Sequence, residues 1–382
     1  MMLKEYEERG DKVFLLRGIV EVRIPIKAYE RLIKRKDKEY IISFGEPRKV
    51  LNHITKRELV FVTKESGIPL LGSSSFGLID RGTNLIQVRP ITGCNLRCIF
   101  CSVDEGKKSK TRATDYIVDP DYLVEVLKQV VEFKGEGVEV HIDGQGEPLL
   151  YPYMEDLLSK ISKIKGVSII SMQTNGILLN ESKISALEEY VTRFNLSLSS
   201  LDRDTASRLS GIKYPVERVT RNAEMIANSK ADLLIAPVWV PGINDRDIEK
   251  IIEFALEINA GKRFPPLGIQ KYIPYKYGRK LKKVMTFKEF YDRLRKWEEE
   301  YGVKLILKPE DFGMDKRSRI PHPIKKGEMH SGRIVANGRL FGERMVAVRD
   351  RVVTIRCDKR VGDHVKFRIT ADKDGIFYGE VV

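Results

Sequence analysis

From Asn84 onward the apolar positions follow two alternating rhythms. Short apolar runs of strand length are followed by stretches whose apolar residues return every three or four positions, as on a helix with one buried face. The run Asn-Leu-Ile-Gln-Val-Arg over 84–89 predicts a first strand. Asp119-Pro120 predicts a helix start, with Leu123, Leu127, Val130 and Val131 on one face and Gly135 at the end. Further strands are predicted over 138–143, 167–173, 194–199, 233–240 and 268–273. Helices are predicted to follow the third strand as far as Tyr190, then over 215–228, then from Asn244 or Asp245, with Ile248, Ile251, Ile252, Ala255 and Leu256 turned inward. Thr286-Phe-Lys-Glu289 reads as a capping box opening a helix that buries Phe290, Leu294 and Trp297.

Alternating strands and helices define an α/β fold. Six such units predict a partial (β/α)6 barrel over 84–312, open along one side. In barrels of this kind reactive groups sit at the C-terminal ends of the strands. A linker is expected over 313–324. Beyond it, short strands over 344–349, 352–356, 364–370 and 375–382 predict a small all-β barrel spanning 325–382. Residues 1–83 form an N-terminal region of mixed pattern, strand-like from Ile19 to Ile26, to which no role is assigned.

With 42% hydrophobic and 32% charged residues, the composition is that of a water-exposed globular protein. No apolar run reaches the ~20 residues that span a bilayer, and the first residues lack a signal-peptide core. A cytoplasmic protein with no membrane partner is therefore expected. Only four cysteines are present, which suits a reducing compartment. The abundance of Lys, Arg and Glu is compatible with a thermophile. A net charge of +14 favours an anionic partner.

Three of the four cysteines fall in one stretch, Cys94-Asn-Leu-Arg-Cys98-Ile-Phe-Cys101. A zinc site would need a fourth ligand at short range, yet His53, His141 and Cys357 are all distant in sequence. A redox disulfide would use Cys98 and Cys101 and leave Cys94 without a purpose. Three thiolates on one loop can instead hold three irons of a cubane and leave the fourth open to a ligand. Directly after the second strand comes Gly144-Gln145-Gly146-Glu147-Pro148, where glycine permits close backbone approach and a carboxylate can pair with an ammonium. Gln173-Thr174-Asn175-Gly176 follows the third strand. Asn195, Ser197 and Ser199 alternate along the fourth, and Val240-Pro241-Gly242-Ile243-Asn244-Asp245 follows the fifth.

This ordered set resembles the radical S-adenosylmethionine (radical SAM) enzymes over about residues 84–310. The resemblance implies a [4Fe–4S] cluster on Cys94, Cys98 and Cys101, with SAM on the open iron. Gly144, Gln145, Gly146 and Glu147 would meet the methionine amino group. Thr174, Asn175, Asn195, Ser197 and Ser199 would lie near the ribose and carboxylate, with Phe100, Pro241 and Gly242 near the adenine. Reductive cleavage of SAM would generate a 5′-deoxyadenosyl radical, with a reductase or ferredoxin as electron donor.

Residues 325–382 resemble a TRAM domain, an OB-like barrel found on RNA-modifying enzymes, through Ser331-Gly-Arg-Ile-Val335, 361–370 and 378–382. The pairing resembles that of an archaeal-type Fe–S oxidoreductase. RNA, as tRNA or rRNA, is then the expected partner through 325–382, with Phe341, Phe367, Phe377 or Tyr378 available for stacking. Methylthiolating enzymes and the wybutosine tricyclic-base enzyme need further cluster cysteines, and adenine-methylating enzymes need two more catalytic ones. Cys357 alone satisfies none of these. Two alternatives stay open: a small-molecule or protein substrate with the β-barrel as a lid, and an RNA-binding iron–sulfur protein without turnover. The catalytic residues beyond the cluster, the product and the oligomeric state have no sequence signal.

Overall fold

The computed structural model describes residues 3–382. Its centre is a six-stranded sheet in the order Asp232–Ile235, Arg193–Leu196, Val167–Thr174, Val138–Ile142, Leu85–Arg89 and Gly77–Asp80. The first five strands run parallel, and Gly77–Asp80 closes one edge antiparallel to Leu85–Arg89. Helices such as Pro120–Lys134, Val216–Ala227 and Asp245–Glu257 cover the outside. Two of the expected caps form. Asp119 accepts from the Tyr122 amide ahead of Pro120, and Thr286 and Glu289 bond reciprocally as a capping box.

The fifth predicted strand is interrupted. Asp232–Ile235 ends before Pro237, which has no amide to continue the ladder, and a two-residue strand, Val238–Trp239, pairs instead with Gln270–Lys271. These two residues are all that the sixth predicted strand contributes as strand. The fourth ends at Leu196, where the Leu198 amide bonds back to the Leu196 carbonyl at 3.0 Å. That tight turn destroys the alternation expected for Asn195, Ser197 and Ser199. The helix Arg203–Ser210 lies outside the sequence reading, although Asp202 caps it onto Thr205.

The N-terminal region forms a second six-stranded sheet, Leu3–Glu8, Asp11–Leu16, Val20–Pro25, Lys49–Asn52, Glu58–Val62 and Thr114–Val118. The last strand comes from the loop between the first and second barrel strands. All five of its residues are buried, so it requires cover on both faces. The 84–312 core and the 1–83 region thus exchange strands in both directions. The segment 313–324 is not a free linker. The Ile320 amide bonds Asp80, the Ser318 carbonyl accepts from buried Lys134, and Arg317 donates to the carbonyls of Lys134 and Glu136.

The C-terminal unit is a closed five-stranded barrel, in which Met329–Asn337, Glu343–Val348, Arg351–Arg356, Phe377–Val381 and His364–Ala371 are joined in that order. Phe367 and Phe377 are fully buried in it and cannot stack on a ligand, whereas Phe341 is 64% and Tyr378 37% exposed.

Candidate active site

The cysteine loop leaves the end of Leu85–Arg89 and is pinned to the next strand end backbone to backbone. The Gly93 amide donates to the Gln145 carbonyl at 3.1 Å, and the Glu147 amide donates to Gly93 at 2.9 Å. Gly146 sits at φ +154°, and a Cβ there would lie 1.9 Å from the Gly93 carbonyl oxygen. Only glycine allows the two chains this close. On the other side, the Arg97 and Ile99 amides donate to Ser210 and Leu209 of the Arg203–Ser210 helix.

Cys94, Cys98 and Cys101 are free and line one cavity of about 330 Å³. The Leu96 amide points at Cys94 Sγ (3.4 Å) and the Glu105 amide at Cys101 Sγ (3.3 Å). Burial pushes the Cys94 thiol well above its usual range, and burial with the neighbouring Cys101 pushes Cys98 up to about 12. Thiols bind metal as thiolates, so a cationic centre must supply the compensating charge. Among the described residues no three such ligands converge on a single-ion site. Three thiolates lining one cavity suit a cluster, which offers each its own iron.

Glu147 is 2% exposed, and its carboxylate is already engaged. Oε1 accepts from Thr174 Oγ1 (2.8 Å) and the Leu149 amide (3.0 Å), and Oε2 accepts from the Asn175 amide (2.8 Å). Burial pushes its pKa upward against these three bonds. The side chain therefore braces the second strand end against the third. Asn175 extends the brace, donating to Asn95 of the cysteine loop at 2.8 Å.

Of the expected site residues, Phe100, Gly144, Gly146, Glu147, Thr174, Asn175 and Ser197 border the cluster cavity with the three cysteines. The other five do not. Gln145 turns toward Ser74 (3.3 Å). Asn195 faces a second cavity of about 350 Å³ that adjoins the first through Gln173 and Gln270. Ser199 Oγ accepts from the Val238 amide. The Gly242 amide donates to Asp245, the first residue of a helix, beside Pro241. Asn244 does not cap that helix. Its side chain bonds Val240, Ser199 and Val238 and ties strand ends together.

The remaining walls lay outside the sequence reading: Lys271, Tyr272 and Tyr275 face the cysteines. Arg279 donates to the carbonyls of Cys98 and Glu105 and pairs with Asp104 at 2.8 Å. Behind the loop lies a buried charge cluster. Glu105 and Asp115 face Arg57, Arg112 and Arg339, all at most 8% exposed. Arg339 belongs to the C-terminal barrel. It contacts Glu105, Asp115 and the Thr114 carbonyl, and its own carbonyl accepts from Ala113. Burial pushes Glu105 upward against these arginines. Buried Glu343 also lies near Arg112 and Arg339, so three guanidinium groups face three carboxylates behind the loop.

An open α/β barrel with three clustered thiols at its first strand end defines an iron–sulfur enzyme with a ligand cavity at the strand ends. The family model of the Radical SAM superfamily matches residues 88–255. An uncharacterized protein of Methanocaldococcus jannaschii is 44% identical over 369 residues, 90% of this chain and 85% of that protein. A GTP 3′,8-cyclase of Chlorobaculum tepidum is 26% identical, the match covering 54% of this chain and 59% of the cyclase. The chain thus matches little more than half the length of that enzyme. Streptococcus suis SuiB bound to S-adenosylmethionine superposes with a TM-score of 0.46 at 21% identity, over 58% of this chain and 48% of SuiB. Residues 88–255 thus form a Radical SAM superfamily domain. The chain is an enzyme whose cofactors are a [4Fe–4S] cluster and S-adenosylmethionine.

Proposed function

We propose that this radical SAM enzyme modifies tRNA or rRNA, with residues 325–382 acting as a TRAM-like RNA-binding module. One observation carries the reading. Along His364–Ala371, buried Val365, Phe367 and Ile369 alternate with exposed His364, Lys366 and Arg368, and Arg333 lies across the ladder from His364. The barrel thereby turns Lys366 and Arg368 to solvent beside exposed Arg333, with Glu380 across from Arg368 as the one acid opposite them, a face suited to a phosphate backbone. Burial of Arg339 supports a fixed module rather than a lid.

Cys94, Cys98 and Cys101 hold the cluster, which when bound supplies the electron that cleaves SAM. Glu147, Thr174 and Asn175 fix the shape of the adjoining wall. Phe100 and Tyr272 shield the cavity from water, and Gln173 holds Ser197 at 2.6 Å. A ferredoxin or reductase in the cytoplasm supplies the electron. No helix among the described residues is long and apolar enough to cross a membrane.

Mass spectrometry of tRNA and rRNA nucleosides from a deletion strain tests the reading. Loss of one modified nucleoside, not restored by Cys98→Ala, is expected. Unchanged nucleosides in both pools would overturn it.

A further inference from the structure

The cavity mouth carries a charged rim that the chemistry at the cluster does not use. It is built by two segments. Residues 271–283 contain six Lys or Arg and no acid, and 106–112 contain four and no acid. They meet at the cysteine loop, where the Arg279 amide donates to the Cys101 carbonyl at 3.1 Å. A Cβ on Gly278 would lie 2.7 Å from the same oxygen. Cys101, Ser102, Val103 and Glu105 line the cavity on one side, and Lys271, Tyr272, Ile273 and Tyr275 line it on the other.

The nearest carboxylates are already committed. Asp104 accepts from Ser109 and Thr111 and pairs with Arg279, while Glu105 is buried among arginines. Lys107, Lys108, Lys110, Lys276, Lys282 and Lys283 are all exposed, and none pairs with a carboxylate among the described residues. Lys288, just beyond the rim, behaves as an ordinary surface lysine and pairs with Asp292 at 2.6 Å. Between the rim lysines stand Tyr275 and Tyr277, 50% and 40% exposed. Unpaired like charges repel, and exposed aromatic area costs hydrophobic free energy. Both features become favourable together when a polyanion with free planar bases occupies the rim. A duplex offers phosphates but hides its base faces in the stack.

We propose that this rim is a second RNA-contact surface that grips single-stranded nucleotides at the cavity mouth, beside the cluster. The proposal rests on the RNA reading above and places a contact outside the TRAM-like barrel. The barrel turn bearing exposed Phe341 meets the rim at Thr111, where the Phe341 amide donates to the Thr111 carbonyl at 3.4 Å. The barrel thus anchors the RNA, and the rim presents an unpaired segment to the cavity.

The test uses the full chain with its cluster loaded, a fluorescein-labelled 12-nucleotide single-stranded RNA and the same sequence as a duplex. Anisotropy is read across a salt series. The triple variant Lys276→Gln, Lys282→Gln, Lys283→Gln should bind the single strand at least tenfold more weakly. The slope of log affinity against log salt should fall by about 2, at roughly 0.7 per lost phosphate contact. Tyr275→Ala with Tyr277→Ala should weaken single-strand binding about tenfold or more and leave duplex binding within about twofold. Iron content and melting temperature should match the parent. If both rim variants bind as the parent does while Lys366→Gln with Arg368→Gln loses affinity, the rim proposal is overturned and the RNA reading stands. If the parent itself binds neither probe, the RNA reading falls and takes the rim with it.

Discussion

The cysteine loop is held on two sides by contacts of opposite chemistry. Toward the second strand end it is held by neutral backbone, Gly93 against Gly146, with the Glu147 carboxylate bonding the next turn. Toward the C-terminal barrel it is held by buried charge, with Arg339 set between Glu105 and Asp115. The first contact has no room for an added atom, and the second has no room for an uncompensated charge. One side of the loop is therefore sensitive to shape and the other to electrostatics.

The largest effect should come from the charged side. Arg339→Met leaves Glu105 and Asp115 buried with less compensation and should cost about 3–5 kcal/mol in denaturant unfolding. Adding Glu105→Gln should recover part of that loss. If the double variant is no more stable than the single one, charge is not what the contact supplies. On the neutral side, Gly146→Ala must displace the Gly93 carbonyl and should cost about 1–3 kcal/mol. Calorimetry should also show SAM bound at least tenfold more weakly with iron content unchanged. Normal SAM affinity would show that the close approach is dispensable. Thr174→Val removes one hydrogen bond from Glu147, worth about 1–2 kcal/mol. Because that bond favours the ionised carboxylate, whose pKa burial already raises, the deficit should shrink as pH falls and Glu147 takes up a proton. A deficit that does not vary with pH would mean the bond ignores the charge. Smallest of all, Lys366→Gln with Arg368→Gln on the solvent face should change stability by less than about 0.5 kcal/mol.

The same contrast explains what could be read from the chain. Cys94, Cys98, Cys101, Gly146 and Glu147 are local in sequence and follow predicted strands, so periodicity alone brings them to one barrel end. Thr114–Val118 looks like any apolar strand, and only burial on both faces assigns it to the other sheet. Ser199 left the expected face because one tight turn after Leu196 broke the alternation. Glu105 and Arg339 had no signal at all, since their pairing depends on how the C-terminal barrel packs against the core. The 271–283 run was visible as composition, but only the fold places it over the cysteines.

The position of Arg339 also bears on when the enzyme can mature. During synthesis the cysteine loop emerges some ~240 residues before Arg339, roughly 10–50 s earlier at ~5–20 residues per second. For that interval the nascent thiols lack the barrel that backs their loop. The loop therefore gains its native backing only once the segment that carries Arg339 has been made.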